Sequence, residues 1–96
     1  MTAKETLQKA IYVWGKIAQL EMAQEESTEL ALAIRKFIRQ DSEERLIDMC
    51  GEIADVEIMI EQIKYMFPSA QSRIDDIKIF KINRLKGRLD KLQFED

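Results

Sequence analysis

Apolar residues recur at helical spacing along most of the chain, and breaks in this spacing divide it into four predicted helices. The predicted helices cover about residues 2–20, 22–40, 43–67 and 72–92. Ser42 is the predicted N-cap of the third helix, Pro68 closes that helix, and Ser72 is the predicted cap of the fourth. With only three glycines and one proline, the chain can supply few of the turns that β structure needs. The sequence therefore predicts an all-α fold resembling a four-helix bundle.

The third predicted helix differs from the others because it is apolar on two sides. The stripe assigned to the core contains Met49, Ile53, Val56, Ile60, Ile63 and Phe67. A second stripe, roughly opposite, contains Ile47, Cys50, Ala54, Ile58 and Tyr65. Four short helices in one chain can cover only the first stripe, so we predict that the second packs against another subunit, most simply in a two-fold dimer. The alternative is that the first helix covers it.

Length and composition narrow the class of protein. A chain of 96 residues forms one domain, predicted here as residues 1–96. The absence of histidine removes the usual general base near neutral pH and the commonest ligand of transition metals. The single cysteine cannot form an intramolecular disulfide, and no apolar run is long enough to span a membrane. We therefore expect a cytoplasmic protein with no membrane partner.

Charge is unevenly distributed along the chain. Residues 1–77 contain nine basic and 15 acidic groups, whereas residues 78–96 contain six and three. A net charge of −3, with the excess of basic groups confined to the last helix, argues against nucleic acid as a partner. The acidic residues 1–77 and the basic last helix either neutralise each other within the protein or bind a ligand that contains both a cation and an anion.

Four carboxylates lie at or beside the predicted apolar faces of the two middle helices. Glu26 lies within the apolar face of the second helix and Glu29 at its edge; Glu52 lies within the main stripe of the third, with Asp55 beside it. Uncompensated buried carboxylates cost several kcal/mol each, so a positive charge is expected among them. Arginine or lysine could supply it, but oxygen ligands alone suit Mg²⁺, or Mn²⁺. The alternative is that these acids are solvated charges on the rims of the helices.

The order of these acids resembles the signature of a known family. Glu25-Glu26-Ser27-Thr28-Glu29, followed after 22 residues by Glu52-Ile53-Ala54-Asp55, is similar to the Glu-Glu-x-x-Glu and Glu-x-x-Asp motifs of the MazG-like all-α nucleotide pyrophosphohydrolases. Trp14-Gly15, Gln19, Lys81 and Arg84-Leu85 also resemble the short single-domain members, and the resemblance covers about residues 12–90.

The resemblance implies a MazG-type helical domain that assembles as a homodimer or homotetramer. It also implies Mg²⁺-dependent hydrolysis of a nucleoside triphosphate to the monophosphate and pyrophosphate. Carried over residue by residue, the resemblance places Glu26, Glu29, Glu52 and Asp55 at the positions of the family's metal ligands. Glu25 falls on an acid that binds a second ion or acts on the attacking water. We expect either Glu25 or Glu29 to orient that water, which is the catalytic role assigned to these two acids. The alternative function is a non-catalytic helical dimer that serves as an interaction module or nucleotide sensor.

The remaining candidate residues each allow two interpretations. Lys81, Arg84 and Arg88 lie on one side of the fourth helix, where they either bind the pyrophosphate group or pair with acids of a neighbouring helix. Trp14 either packs in the core or stacks on the nucleotide base. Gln19 either contacts a base edge or is a surface amide. The sequence gives no base or sugar preference.

Overall fold

The computed structural model describes residues 1–94, which form four α-helices and contain no β-strand. The helices are α1 (Ala3–Trp14), α2 (Lys16–Arg39), α3 (Glu43–Met66) and α4 (Ala70–Phe94). The all-α prediction and the number of helices are confirmed. Residues 95 and 96 of the predicted domain lie outside the described part. Within that part, no helix combines the length and the apolar character needed to cross a membrane.

The boundary between the first two helices was predicted wrongly. Gly15 has φ 91° and ψ 157°, a backbone conformation that is essentially restricted to glycine, and it ends α1 at Trp14. Residues 16–20, assigned by the sequence to the first helix, belong to α2. The apolar spacing continues across this corner, so periodicity did not reveal it. The start of α1 is fixed by a capping box in which Thr2 and Glu5 satisfy each other's backbone N–H.

The closest pair of helices is α2 and α3, which run antiparallel across the short connection of residues 40–42. The predicted N-cap is confirmed, since Ser42 Oγ accepts a hydrogen bond of 3.2 Å from the Arg45 N–H. Proximity of Glu26 and Asp55 defines the register of the pair. The same register places Gln19 and Gln62 at one level, closer to the start of α2.

The interior of the single chain is small. Among the described residues, the buried apolar side chains are Ala33, Met59 and Met66, all on α2 or α3. The chain exposes 7874 Å², about 2,100 Å² more than the surface expected for a compact monomer of 11.3 kDa. Its radius of gyration is 17.4 Å, against about 12 Å for a compact chain of this length. One copy therefore leaves much of its apolar surface uncovered.

Helix α4 accounts for part of this exposed surface. In the described part of the chain it contacts only α3, and only Ala70 and Ile74 near its start are partly covered. The side predicted to be buried is exposed at Ile77, Ile82, Leu85, Leu89 and Leu92. The helix also begins two residues before the predicted cap, so Ser72 lies inside it and its hydroxyl donates to the Ser69 carbonyl at 3.4 Å.

The second stripe of α3 is mostly uncovered in one chain. Ile47, Cys50, Ala54 and Ile58 are exposed, whereas Tyr65 is half-buried and its ring centroid lies 5.9 Å from Lys4 Nζ on α1. The first helix thus reaches the C-terminal end of the stripe and leaves the rest open.

Candidate functional site

Three of the predicted carboxylates meet between the two central helices. One carboxylate oxygen from each of Glu26, Glu52 and Asp55 lies within 4.8 Å of the others. Glu26 is on α2, whereas Glu52 and Asp55 are on successive turns of the same face of α3. Glu26 and Glu52 are half-buried and Asp55 is exposed. We call these three residues the carboxylate cluster.

The carboxyl group of Glu26 is repelled by the neighbouring acids of the cluster. Folding raises the pKa of its carboxyl group, first through partial burial and then through the charges of Asp55 and Glu52. The protonated form of Glu26 can donate a hydrogen bond to Asp55, and this and the charge of Glu29 raise the pKa further. The cluster therefore favours either a proton on Glu26 or an added positive charge between the side chains.

One oxygen of the cluster has no partner in the described structure. Glu52 Oε2 is buried and accepts no hydrogen bond. A buried acceptor left unsatisfied costs free energy, and a bound cation would remove this cost. Carboxylate oxygens without histidine or cysteine are the donor set that Mg²⁺ and Mn²⁺ prefer. The residues present therefore fit a hard divalent ion.

The other two acids of the predicted motif lie outside the cluster. Glu29 is exposed and lines the groove that begins at the cluster, close enough for its charge to raise the pKa of Glu26. Glu25 is exposed on the neighbouring position of α2. The structure thus gathers three of the four predicted metal ligands and places the fourth on the rim.

A groove of about 350 Å³ extends from the cluster between α2 and α3. Its lining residues are Glu29, Leu32, Ala33, Lys36, Arg45, Ile47, Asp48, Gly51, Glu52 and Asp55. Lys36 and Arg45 are the cations among these described residues, and the sequence analysis missed both. The signal available was their spacing, since Lys36 follows Glu29 by seven residues and Arg45 precedes Glu52 by seven.

Trp14 and Gln19 line a second cavity, of about 390 Å³, together with Ala18 and Met22. Trp14 is 66% exposed, so core packing of this side chain is not observed within one chain. Gln19 is only 6% exposed, which excludes its interpretation as a surface amide. Gln62, at the same level on α3, is 3% exposed and its Oε1 accepts no hydrogen bond from the described residues. No sequence signal had singled out Gln62.

The three predicted cations of the fourth helix lie apart from the cluster in one chain. Lys81, Arg84 and Arg88 are exposed, and α4 does not contact α2 in the described range. The Arg84 guanidinium lies 6.0 Å from the Phe80 ring centroid on the same helix. Their exposure agrees with a solvated basic face, although no ion pair joins them to acids of a neighbouring helix among residues 1–94.

Comparison of the chain with models of protein families, with curated proteins and with solved structures found no match.

Proposed function

We propose that the chain is a MazG-like pyrophosphohydrolase that cleaves a ribo- or deoxyribonucleoside triphosphate to the monophosphate and pyrophosphate in the presence of Mg²⁺. The observation that supports this most directly is the carboxylate cluster, with its buried, unpaired Glu52 Oε2. An acidic groove can accept a triphosphate only if a cation lies between the two like charges. The same acids carry the sequence resemblance to the family.

The cluster would hold the divalent ion through Glu26, Glu52 and Asp55, with Glu29 adjacent on the rim. When bound, Mg²⁺ or Mn²⁺ supplies positive charge to the phosphoryl oxygens and lowers the pKa of water. Glu29 is exposed on the rim of the groove, and Glu25 is exposed at another position of α2. A carboxylate in this role would orient a water molecule towards the α-phosphorus and accept its proton. This division of roles needs no histidine.

The exposed surface supports a homodimer or homotetramer. Two chains that each cover about 2,100 Å² of excess surface would bury about 4,200 Å² in total, within the range of obligate homodimers. Assembly would also cover the open stripe of α3 and the apolar side of α4. Lys81, Arg84 and Arg88 can act on pyrophosphate only if assembly brings α4 to a groove.

The cavity lined by Trp14 and Gln19 is the proposed site for the base of the nucleotide. An exposed indole offers a face for stacking, and a neighbouring amide offers both a donor and an acceptor for a base edge.

The test is to assay pyrophosphate release from a panel of ribo- and deoxyribonucleoside triphosphates, with and without Mg²⁺. We expect Mg²⁺-dependent release from at least one of them, and a loss of at least tenfold in Glu52→Gln. Glu57→Gln is the matched control, because it removes an exposed acid of the same helix outside the cluster. No release from any nucleotide refutes the activity; tight nucleotide binding without product would instead support a sensor.

A further inference from the structure

The groove between α2 and α3 has two ends of opposite charge. The carboxylate cluster and Glu29 form one end, and Lys36 and Arg45 lie at the other. Lys36 follows Glu29 by seven residues on α2, and Arg45 precedes Glu52 by seven on α3. Seven residues are nearly two helical turns, so each cation lies on the same face as the acid of its own helix and about 10 Å from it along the helix axis. Because the helices are antiparallel, both displacements run towards the α2–α3 connection. The two cations therefore lie at the same end of the groove.

Both cations are available to a ligand. Lys36 is exposed and forms no ion pair within the described residues. Arg45 is held loosely: its guanidinium lies 3.7 Å from the Asp48 carboxylate, and its Nε donates to Gln40 Oε1 at 3.4 Å. Contacts this long and this exposed contribute little free energy, so an anion can replace them. Asp48 also lines the groove, and its repulsion of an anion is offset by Arg45 beside it.

Between its two ends, the groove has free space beside the backbone of α3. Gly51 lies on the groove, and a Cβ placed on it would meet no atom within 4 Å. A side chain at this position would therefore enter the groove without disturbing the packing of α2 against α3. Leu32 and Ala33 complete the lining on the side of α2.

We propose that this groove binds the polyphosphate tail of the substrate, with the phosphates lying between the divalent ion at the carboxylates and the side chains of Lys36 and Arg45. This inference rests on the proposed function for the nucleotide that carries the tail. A separation of about 10 Å is too long for one orthophosphate to contact both ends, whereas a chain of three phosphates can reach both. The planar guanidinium of Arg45 matches two phosphate oxygens at once. The ligand class is accordingly a triphosphate.

The experiment measures binding to the whole chain by calorimetry, in the presence of Mg²⁺, with inorganic tripolyphosphate, pyrophosphate and orthophosphate as probes. We expect affinity to rise with the number of phosphates. Lys36→Gln and Arg45→Gln should each weaken tripolyphosphate binding about tenfold, as expected for the loss of a charge-assisted contact. Arg35→Gln is the matched control, since it removes a neighbouring positive charge of α2 that does not line the groove, and it should change affinity less than twofold.

A second pair of variants tests this free space beside the backbone of α3 and does not depend on charge. Gly51→Ala should weaken tripolyphosphate binding several-fold while the thermal midpoint is maintained or raised, because alanine favours the helix. Gly87→Ala makes the same change on α4, also in open space, and should leave binding unchanged. Equal affinity for orthophosphate and tripolyphosphate, or equal effects of Lys36→Gln and Arg35→Gln, would overturn the proposal.

The outcomes separate this proposal from the activity on which it rests. If Lys36→Gln weakens tripolyphosphate binding but no nucleotide releases pyrophosphate, the groove is supported and the activity is refuted. If nucleotide turnover is found and its KM is unchanged in Lys36→Gln and Arg45→Gln, the activity stands and the groove is refuted. Tighter binding of a nucleoside triphosphate than of tripolyphosphate supports the nucleotide tail as the ligand; the reverse overturns that assignment in favour of free inorganic polyphosphate.

Discussion

Replacing Leu85 with glutamine tests whether a second copy covers α4. Leu85 is 53% exposed, and within the described residues the helix that carries it touches its own chain only near residues 70–74. Leucine and glutamine have similar helix propensities, so the change should not alter the folding of an isolated chain. In an assembly, covering the exposed half of the side chain is worth about 1–1.5 kcal/mol per copy. A two-fold dimer contains two copies, so the variant should dissociate roughly 30- to 150-fold more readily.

The assay is sedimentation equilibrium of the parent, of Leu85→Gln and of Lys86→Gln, which changes the adjacent exposed side chain and should dissociate like the parent. Thermal melts provide an independent measurement. For a dimer that unfolds to separate chains, a hundredfold rise in protein concentration stabilises the assembly by about 2.7 kcal/mol. With an unfolding entropy of about 2.1 cal/mol/K per residue, the midpoint should rise by about 7 °C. A monomeric parent whose midpoint does not depend on concentration would refute the reasoning.

Three further outcomes are expected. Because folding raises the pKa of Glu26, the contribution of this group to the stability of the metal-free protein should be fully present below the usual carboxyl range. That contribution should be lost as pH rises through the raised pKa, and in melts across this range Glu26→Gln should show a smaller loss than the parent. An identical pH slope in parent and variant would count against coupling within the cluster. Mg²⁺ should raise the melting temperature, followed by circular dichroism, of the parent and of the control Glu57→Gln but not of Glu52→Gln. Equal stabilisation of all three proteins would exclude Glu52 as a ligand. Gly15→Ala should lower the free energy of unfolding by about 1–3 kcal/mol in chemical denaturation, because alanine is strained at the positive φ of this corner. Gly87→Ala, which has no such φ, should not lower it. Equal free energies of unfolding in the two variants would show that α1 can leave α2 at another angle.

Local signals account for the part of the fold that the sequence predicted. Ser42 caps α3 and Pro68 follows its end, and both effects act within a few residues of the helix terminus. Gly15 was overlooked because the apolar spacing of α1 and α2 continues through it, and spacing reports which side is apolar rather than the backbone angle of one residue. The positions of Glu26, Glu52 and Asp55 could be predicted because i, i+3 spacing places acids on the inner faces of their own helices.

The remaining features depend on how two helices are paired. Lys36 and Arg45 become neighbours only in the antiparallel register of α2 and α3, and a helical wheel for either helix alone cannot show this. The buried Gln62 is a similar case, since its burial depends on what α2 places opposite it. For α4 the sequence predicted which side is apolar, but a pattern within one helix does not specify whether its own chain or another covers that side.

The carboxylate cluster and both ends of the groove lie on a single helical hairpin, residues 26–55. The two helices of this hairpin, α2 and α3, are joined by the three residues 40–42. Among the described residues, neither α1 nor α4 contributes to this lining, so we expect substitutions in those helices to change the separation between the acids and the cations little. The hairpin can thus persist as a unit in evolution while the flanking helices diverge. We would expect distant relatives to retain the acids and the seven-residue offsets of this hairpin and to differ most in the segments that precede and follow it.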